Sequence, residues 1–484
     1  EMDMKQVHSI RFNFLMNFIL TASSFVFPLI TFPYVSRVLM PEGIGKVTFA
    51  TSVISYFTMV AMLGVPTYGI RACAQVRDDK EKLSKVVQEL MIINLVLTLI
   101  CYVCLGISIC TIDRFREDSD IIWISSLGIL LNAVGVNWFY SAIEEYSYIT
   151  FRSLIFKVLS VFLMFFCIKD QDDYPMYAVM TLVASSGSYV LNFIRLRKYI
   201  FFKRYPHYDF MPHIKAAMVF FAMTVATTVY TNLDTVMLGF MSGNAEVGYY
   251  NAAVKVKQIL VSLVTSLGAV LLPRLSYYVQ SDRREQFYRV VVKAMRIVFF
   301  LAIPLMVFFM MFAEEVILIL SGEAYLAAVQ PMQIIMPTLL FIGITNLLGL
   351  QIMVPMGQER LVVISVVAGG ILDLILNAVL IPGYGASGAA IGTLAAEGMV
   401  LVVQVVMLRE VLRDMPRLQV WKVILATAAA SIVVYYLQSM IQTSMMLVHI
   451  GIMACVFGVV YAGVAFILRE AVLLEDILPG LRRR

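Results

Sequence analysis

Residues 17–57 read NFILTASSFVFPLITFPYVSRVLMPEGIGKVTFATSVISYF, inside a longer stretch that runs from Phe12 to Lys85. Two apolar runs, 12–38 and 47–70, flank a polar turn at 37–46, and a charged run follows from Arg71 to Lys85. Each apolar run exceeds the ~20 residues that a helix needs to cross a bilayer. The turn is long enough only for a hairpin tip. The stretch predicts two transmembrane helices that begin and end on the same side of a membrane.

The rest of the chain has the same character. Its 484 residues are 61% hydrophobic and 14% charged, with mean hydropathy +0.86, whereas soluble domains lie near ~45–50% apolar and ~25% charged. The composition excludes a soluble enzyme and predicts a polytopic, all-α membrane protein. Cys101 and Cys104 have the C-x-x-C spacing but no βαβ context, so neither a redox motif nor a disulfide is expected. The first apolar run is too long for a cleavable signal peptide and lacks a small-residue cleavage site. The start at Glu1 rather than Met reads as a processed or an engineered start.

Length and flanking charge predict about fourteen spans: 12–38, 47–70, 86–110, 121–142, 153–168, 174–194, 216–240, 248–273, 294–320, 329–353, 361–381, 387–408, 421–440 and 447–468. Alternate connections hold roughly thirty of the 37 basic residues, among them Arg71, Arg77, Arg152, Lys157, Arg195, Lys203, Arg283 and Arg409. Those connections read as cytoplasmic, which places both termini there. Contact with anionic lipid heads accounts for the net charge of +5; nucleic acid is not an expected partner. The basic stretch 195–215, with Pro206, Pro212, His207 and His213, reads as a linker between lobes. Residues 44–50 (IGKVTFA) align with 247–253 (VGYYNAA), and 177–182 with 389–394. The expected organisation is therefore an N-terminal lobe of six helices (1–194), a linker (195–215), a second six-helix lobe (216–408) and a C-terminal helix pair with tail (409–484), the lobes enclosing a central cavity.

Charge inside a span is the strongest functional signal, because it costs at least ~2.5–3.5 kcal/mol at the helix centre. Asp234 in span seven and Lys255 in span eight are expected at matching depth, either as a neutralising ion pair or as a switchable pair facing the cavity. Lys257 is about 200° round the helix from Lys255, so the two cannot share a direction. Asp373, Asn377 and Glu397 lie in LDLILNAVLIPGYGASGAAIGTLAAE (372–397), as interhelical hydrogen-bonding groups or as carboxylates that bind a coupling ion. The GYGASG within it (383–388) spells a nucleotide fingerprint without the βαβ unit such a site needs and is read as an outer turn. In span four, Asn132, Asn137, Trp138 and Tyr140 offer hydrogen bonds and a stacking face to a sugar, or an interfacial belt. No Walker A sequence, metal-ligand spacing or nucleophile–base pair is recognisable.

The wording of residues 17–57, with LGVPTYGIRACAQVRDD (63–79), resembles the opening of the bacterial polysaccharide flippases of Wzx type, members of the multidrug/oligosaccharidyl-lipid/polysaccharide exporter superfamily. The resemblance recurs at 234–257 and 377–397. It implies a non-enzymatic flippase that moves undecaprenyl-pyrophosphate-linked oligosaccharide from the cytoplasmic to the outer leaflet by alternating access, for capsule, O-antigen or exopolysaccharide assembly. A polysaccharide polymerase and assembly proteins are further implied partners, and the bacterial inner membrane is the implied location. By position, Arg37, Arg71 and Lys255 would meet the pyrophosphate, with Arg11 and Arg274 recruiting it. Asn137, Trp138 and Tyr140 would contact sugar, and Asp234, Asp373 or Glu397 would titrate with a coupling H+ or Na+, no other cofactor being required. The alternatives are a cation-coupled multidrug exporter of the same superfamily and a lipid II flippase.

Overall fold

The computed structural model describes residues 10–281, 283–413, 415, 416, 418–441, 445–470 and 472. The described residues contain helices and no strand: α1 Ile10–Met62, α2 Val65–Gln75, α3 Lys80–Thr111, α4 Asp113–Glu117, α5 Ser119–Gly135, α6 Asn137–Ala142, α7 Tyr146–Cys167, α8 Tyr174–Leu182, α9 Tyr189–Leu196, α10 Phe210–Met241, α11 Asn244–Gln280, α12 Arg284–Met311, α13 Ala313–Leu320, α14 Val329–Ile335, α15 Thr338–Asn346, α16 Glu359–Met407, α17 Arg409–Arg413, α18 Val420–Met440 and α19 Met446–Ile467. Single π-helical turns follow α8 (Val183–Gly187) and α15 (Leu347–Met353). In hydrocarbon every backbone polar group has to be satisfied within the protein, and helices do this segment by segment. The outward faces are apolar to match: Phe166, Val379 and Val459 are 80%, 70% and 72% exposed. The protein is a multi-pass membrane protein.

Ten helices among the described residues are long and apolar enough to cross a membrane, and a pair bent by 46°, Glu323–Ile335 with Thr338–Met353, makes an eleventh. The expected fourteen is not reached by length and composition alone. Two of the ten each hold two expected spans, and Asn244–Gln280 is not among them. In α1 the break falls at Met40 (φ 57°, ψ 176°), directly before Pro41, which disfavours the helical region for its predecessor. In α16 it falls at Gly385 (φ 52°, ψ −129°), a conformation open to glycine. The partners across α16 step evenly away from that glycine. Gly388 lies against the Leu380 backbone, Gly392 against Asn377, Gly369 against Val400, and Gln404 donates to Ser365 at 3.1 Å. The two arms are therefore an antiparallel hairpin, and GYGASG is its turn.

The chain forms two compact units, Glu1–Gly248 and Tyr249–Arg484. In the first, α1 packs along α3, α5, α7, α8 and α10, and α2 packs on α3, α6 and α10. α10, expected to open the second lobe, belongs here. Asp79 caps α3 by accepting from the amides of Glu81 and Lys82, both at 3.1 Å, and the Lys82 amide bond leads the contacts that hold its carboxyl below the usual range. A core of Val65, Leu83, Val87, Leu90, Trp138, Phe139, Tyr140 and Leu196 ties α2, α3, α6 and α9. In the second unit, α12, α18 and α19 share a core of Phe300, Phe308, Phe312, Ala426, Ala430, Phe457 and Tyr461. The C-terminal pair is thus packed on α12.

The aligned glycines of the internal repeat meet reciprocally at one end of the first unit. A Cβ on Gly45 would fall 1.7 Å from the Asn244 carbonyl oxygen, and one on Gly248 would fall 2.2 Å from that of Pro41. Polar side chains fasten the same place. Asn244 donates to Glu42 and Asp118, both at 3.2 Å. Arg114 donates to the Gly239 carbonyl at 2.8 Å and to the Asn244 side chain, and pairs with Asp118 at 3.2 Å.

Candidate functional site

Thr51, Ser55 and Thr58 follow one another on the second arm of α1 at helical spacing, as do Thr224, Thr228 and Asn232 on α10. Spacings of three and four place each set on one face. With Ser125 and Asn132 of α5, Thr181 of α8, Ser185 and Ser186 of the π-helical turn and Tyr189 of α9, they line a cavity of about 700 Å³ inside the first unit. Ile54, Met59, Met62, Pro66, Gly128, Ala178 and Leu182 complete its wall, and no lining side chain is charged. Its size falls within the ~300–1,000 Å³ of small-molecule sites.

The polarity of this wall has a direction. Thr51, Ser55, Thr58 and Thr224 donate their hydroxyl protons to carbonyls of their own helices at 2.9, 2.8, 2.9 and 3.0 Å. Asn132 and Asn232 donate their amide groups to Gly128 and Thr228 carbonyls at 2.8 and 3.0 Å. Serine and threonine in helices commonly bond back in this way. The hydroxyl donors are then engaged, Asn132 keeps one free amide N–H, and the oxygen lone pairs remain, so these side chains offer mainly acceptors. A ligand rich in hydroxyl donors suits it, and an anion does not. The sequence reading singled out only Asn132 here; the missed signal was the four-residue recurrence of Ser and Thr on several spans.

The other residues singled out from the sequence lie elsewhere. Trp138 is 4% exposed and Tyr140 0%, both in the core beneath α2, and Tyr140 donates its hydroxyl to the Asn192 carbonyl at 2.7 Å. Asn137 accepts from Arg152 at 3.0 Å. Neither ring is presented to open space, because the short helix α6 turns them inward. Arg152 and Lys157, grouped with the basic connections, are within α7. Arg152 is buried, with Tyr148 and Tyr189 rings each 5.4 Å from its guanidinium, and Lys157 donates to Ser23 and Ser24 at 2.7 and 2.9 Å. Aromatic faces and hydroxyls let these cations stay inside.

Arg37 is exposed and donates to the Pro33 carbonyl one turn back; Arg71 is exposed on α2. The side chains of Arg11 and Arg274 lie outside the described residues. Asp234 is buried on α10, near enough to Tyr56 to act on it electrostatically. It belongs to the first unit, and Lys255, half-buried on α11, to the second.

A second polar group lies in the α16 hairpin. Asp373 is 2% exposed, and its Oδ1 accepts from the Asn377 amide at 3.2 Å. Both side chains fill the space left by Gly392, where a Cβ would come within 2.2 Å of Asn377 Oδ1 and 2.9 Å of Asp373 Oδ1. Beside them Thr393 bonds the Tyr250 hydroxyl at 2.7 Å, and Glu397 is buried one turn further on. Carboxylate, amide and hydroxyl oxygens are the ligand types that hold small hard cations.

The family model described as polysaccharide biosynthesis protein matches residues 10–279, and the MatE family model matches 220–379. A "Putative O-antigen transporter" of Escherichia coli (strain K12) is 23% identical over 406 residues, 83% of this chain and 97% of that protein. A protein of the same name from Shigella dysenteriae is 24% identical over 395 residues, 81% and 98% of the two chains. The fold is similar to the solved structure titled "Lipid II flippase MurJ, inward closed conformation", with TM-score 0.72, 15% identity and coverage of 96% of this chain and 100% of that one. It is also similar to an inward-facing multidrug resistance MATE family transporter, with TM-score 0.59, 16% identity and coverage of 80% and 94%. With the first model spanning more than half of the sequence, the chain belongs to the polysaccharide biosynthesis protein family, the Wzx-type branch of the multidrug/oligosaccharidyl-lipid/polysaccharide exporter superfamily that its opening residues resemble.

Proposed function

We propose that this protein is a flippase for a lipid-linked oligosaccharide, and that the cavity of the first unit receives the sugar. The observation that carries this reading is the uncharged, acceptor-rich wall just described, in a chain of the polysaccharide biosynthesis family. The carrier is an undecaprenyl pyrophosphate whose tail stays in the bilayer. Arg37, Arg71 and Lys255 meet its phosphates, Arg11 and Arg274 recruit it, and Asp373 with Glu397 or Asp234 binds the coupling H+ or Na+. The protein works by binding and release in the bacterial inner membrane with both termini cytoplasmic, delivering repeat units to a polymerase for O-antigen, capsule or exopolysaccharide. A multidrug exporter of the superfamily would attract cations to its chamber with carboxylates, and this cavity has none in its lining.

The test is transport in proteoliposomes, following undecaprenyl-pyrophosphate-linked oligosaccharide to the opposite leaflet, with a cationic dye in parallel. Asn132→Leu combined with Asn232→Leu removes two acceptors, each hydrogen bond being worth about 0.5–1.5 kcal/mol. The rate at limiting substrate is expected to fall about tenfold. An unchanged rate removes the sugar from this cavity. Movement of the dye alone replaces the flippase reading with the exporter one.

A further inference from the structure

Where residues 197–209 leave α9 and enter α10, they are fastened to the first turns of α3. The Phe201 amide donates to Ser84 at 2.9 Å, Tyr208 donates to Gln88 at 2.8 Å, and Lys203 pairs with Glu81. The last of these fastenings is Glu89, 2% exposed, whose Oε1 accepts from the Asp209 amide at 2.7 Å. Its Oε2 lies 2.9 Å from His213 Nε2, and His213 Nδ1 lies 2.8 Å from the Tyr68 hydroxyl. A tyrosine, a histidine and a glutamate from α2, α10 and α3 thus form one continuous chain. Neither the sugar cavity nor the expected pyrophosphate and coupling groups use it.

Two protonation states fit this chain without loss of a hydrogen bond. With a neutral imidazole, Nε2–H donates to Glu89 and Nδ1 accepts from the Tyr68 hydroxyl. With an imidazolium, both nitrogens donate, and the tyrosine hydroxyl, which donates or accepts equally well, turns to accept. A proton at Nδ1 therefore leaves both hydrogen bonds of the imidazole in place, and it converts the Glu89–His213 hydrogen bond into a buried ion pair, the stronger form. Other titratable groups surround the chain: Lys85 on α3, 3.8 Å from Glu89, Arg71 and Cys73 on α2, within electrostatic reach of Tyr68, and Tyr208 and Asp209 at the entry to α10. The chain also lies directly under the cavity. Tyr68 is two residues past Pro66 of the wall, and its ring packs on Phe220, one turn before Thr224 of the wall. Between them Gly64 (φ 72°) is pressed on the Ala217 carbonyl.

We propose that Tyr68, His213 and Glu89 form a proton-binding site whose occupancy sets how firmly residues 201–209 and the first turn of α10 are held on α3. The site takes a solvent proton, and it does so whether or not the flippase reading holds.

The experiment uses the full chain in nanodiscs between pH 5.5 and 8.5. Carbon-13 labelling of its four histidines gives a His213 signal assigned by its loss in His213→Asn. Hydrogen exchange gives the protection of the Phe201 and Asp209 amides, corrected for the intrinsic rate. The His213 signal is expected to move with pH. The two protection factors are expected to change at least about tenfold across the same range, ~1.4 kcal/mol, and to lose that dependence in Glu89→Gln and His213→Asn. Lys203→Ala loosens the segment away from the site, so it is expected to lower protection at every pH and keep the dependence. Tyr68→Phe keeps the ring on Phe220; should the other variants not fold, its pH range is expected to move at least about tenfold in proton concentration. A pH-independent His213 signal overturns the proposal. So does protection whose pH dependence survives in Glu89→Gln, or an unmoved range in Tyr68→Phe.

Discussion

Gly45→Ala and Gly248→Ala are each expected to reduce transport by one to two orders of magnitude and to lower the melting temperature. The added methyl carbons would lie 1.7 Å from the Asn244 carbonyl oxygen and 2.2 Å from the Pro41 carbonyl oxygen. Those obstacles are backbone, so no side-chain rotation relieves them, and the two turns must separate. Overpacking typically costs about 1–3 kcal/mol, which is about five- to 150-fold in a population. Separation also breaks the Asn244 bonds to Glu42 and Asp118, so the cost falls at the upper end. Gly106→Ala is the control. It lies in α3 with nothing within 4 Å of the new carbon, and alanine favours a helix over glycine by about 1 kcal/mol. Thermal unfolding and proteoliposome transport of the three variants decide the matter. Wild-type values for Gly45→Ala would mean that the reciprocal seating is dispensable.

The second large effect is expected in the α16 hairpin. Gly392→Ala puts a carbon 2.2 Å from Asn377 Oδ1 and 2.9 Å from Asp373 Oδ1, driving two buried polar side chains out of register. Its effect mixes packing with any ion binding, so Asp373→Asn separates them. That substitution keeps volume and a hydrogen-bonding partner for Asn377 while removing the charge. If Asp373 holds the coupling ion, Asp373→Asn stays folded, and its transport no longer responds to a Na+ or H+ gradient. Gly392→Ala loses transport under every gradient, by at least about tenfold. An Asp373→Asn variant that still follows one of the gradients would assign coupling to another group.

Much of the fold was legible because a bilayer leaves few choices. The run lengths, the Met40–Pro41 break and the turn around Gly385 follow from backbone satisfaction in hydrocarbon and from the residues that can leave a helix. The two glycines that the repeat aligns, Gly45 and Gly248, each sit against backbone of the other's turn, at Asn244 and Pro41. The site was much less so. A span that is apolar on every side does not reveal which face meets lipid, a neighbouring helix or a cavity, so Trp138 and Tyr140 read as ligand-facing although α6 turns them into the core. Arg152 read as a connection residue because charge is normally excluded from spans; two tyrosine rings and Asn137 make the exception. His213 was assigned to a linker, although α10 begins at Phe210 and carries it onto Glu89. Threonine and serine recurring every fourth residue could have marked the cavity wall, but taken singly they resemble ordinary helix packing.

The turn of the α16 hairpin has a practical consequence for mapping the protein in cells. The helix reverses through one non-helical residue, Gly385, and its arms are in contact again by Leu380 and Gly388. No strand of free chain lies between them for a protease to grip. An epitope inserted there would have to prise the hairpin apart before an antibody reached it. Reporter insertions that fail at residues 383–387 would therefore say nothing about which side of the membrane that turn faces.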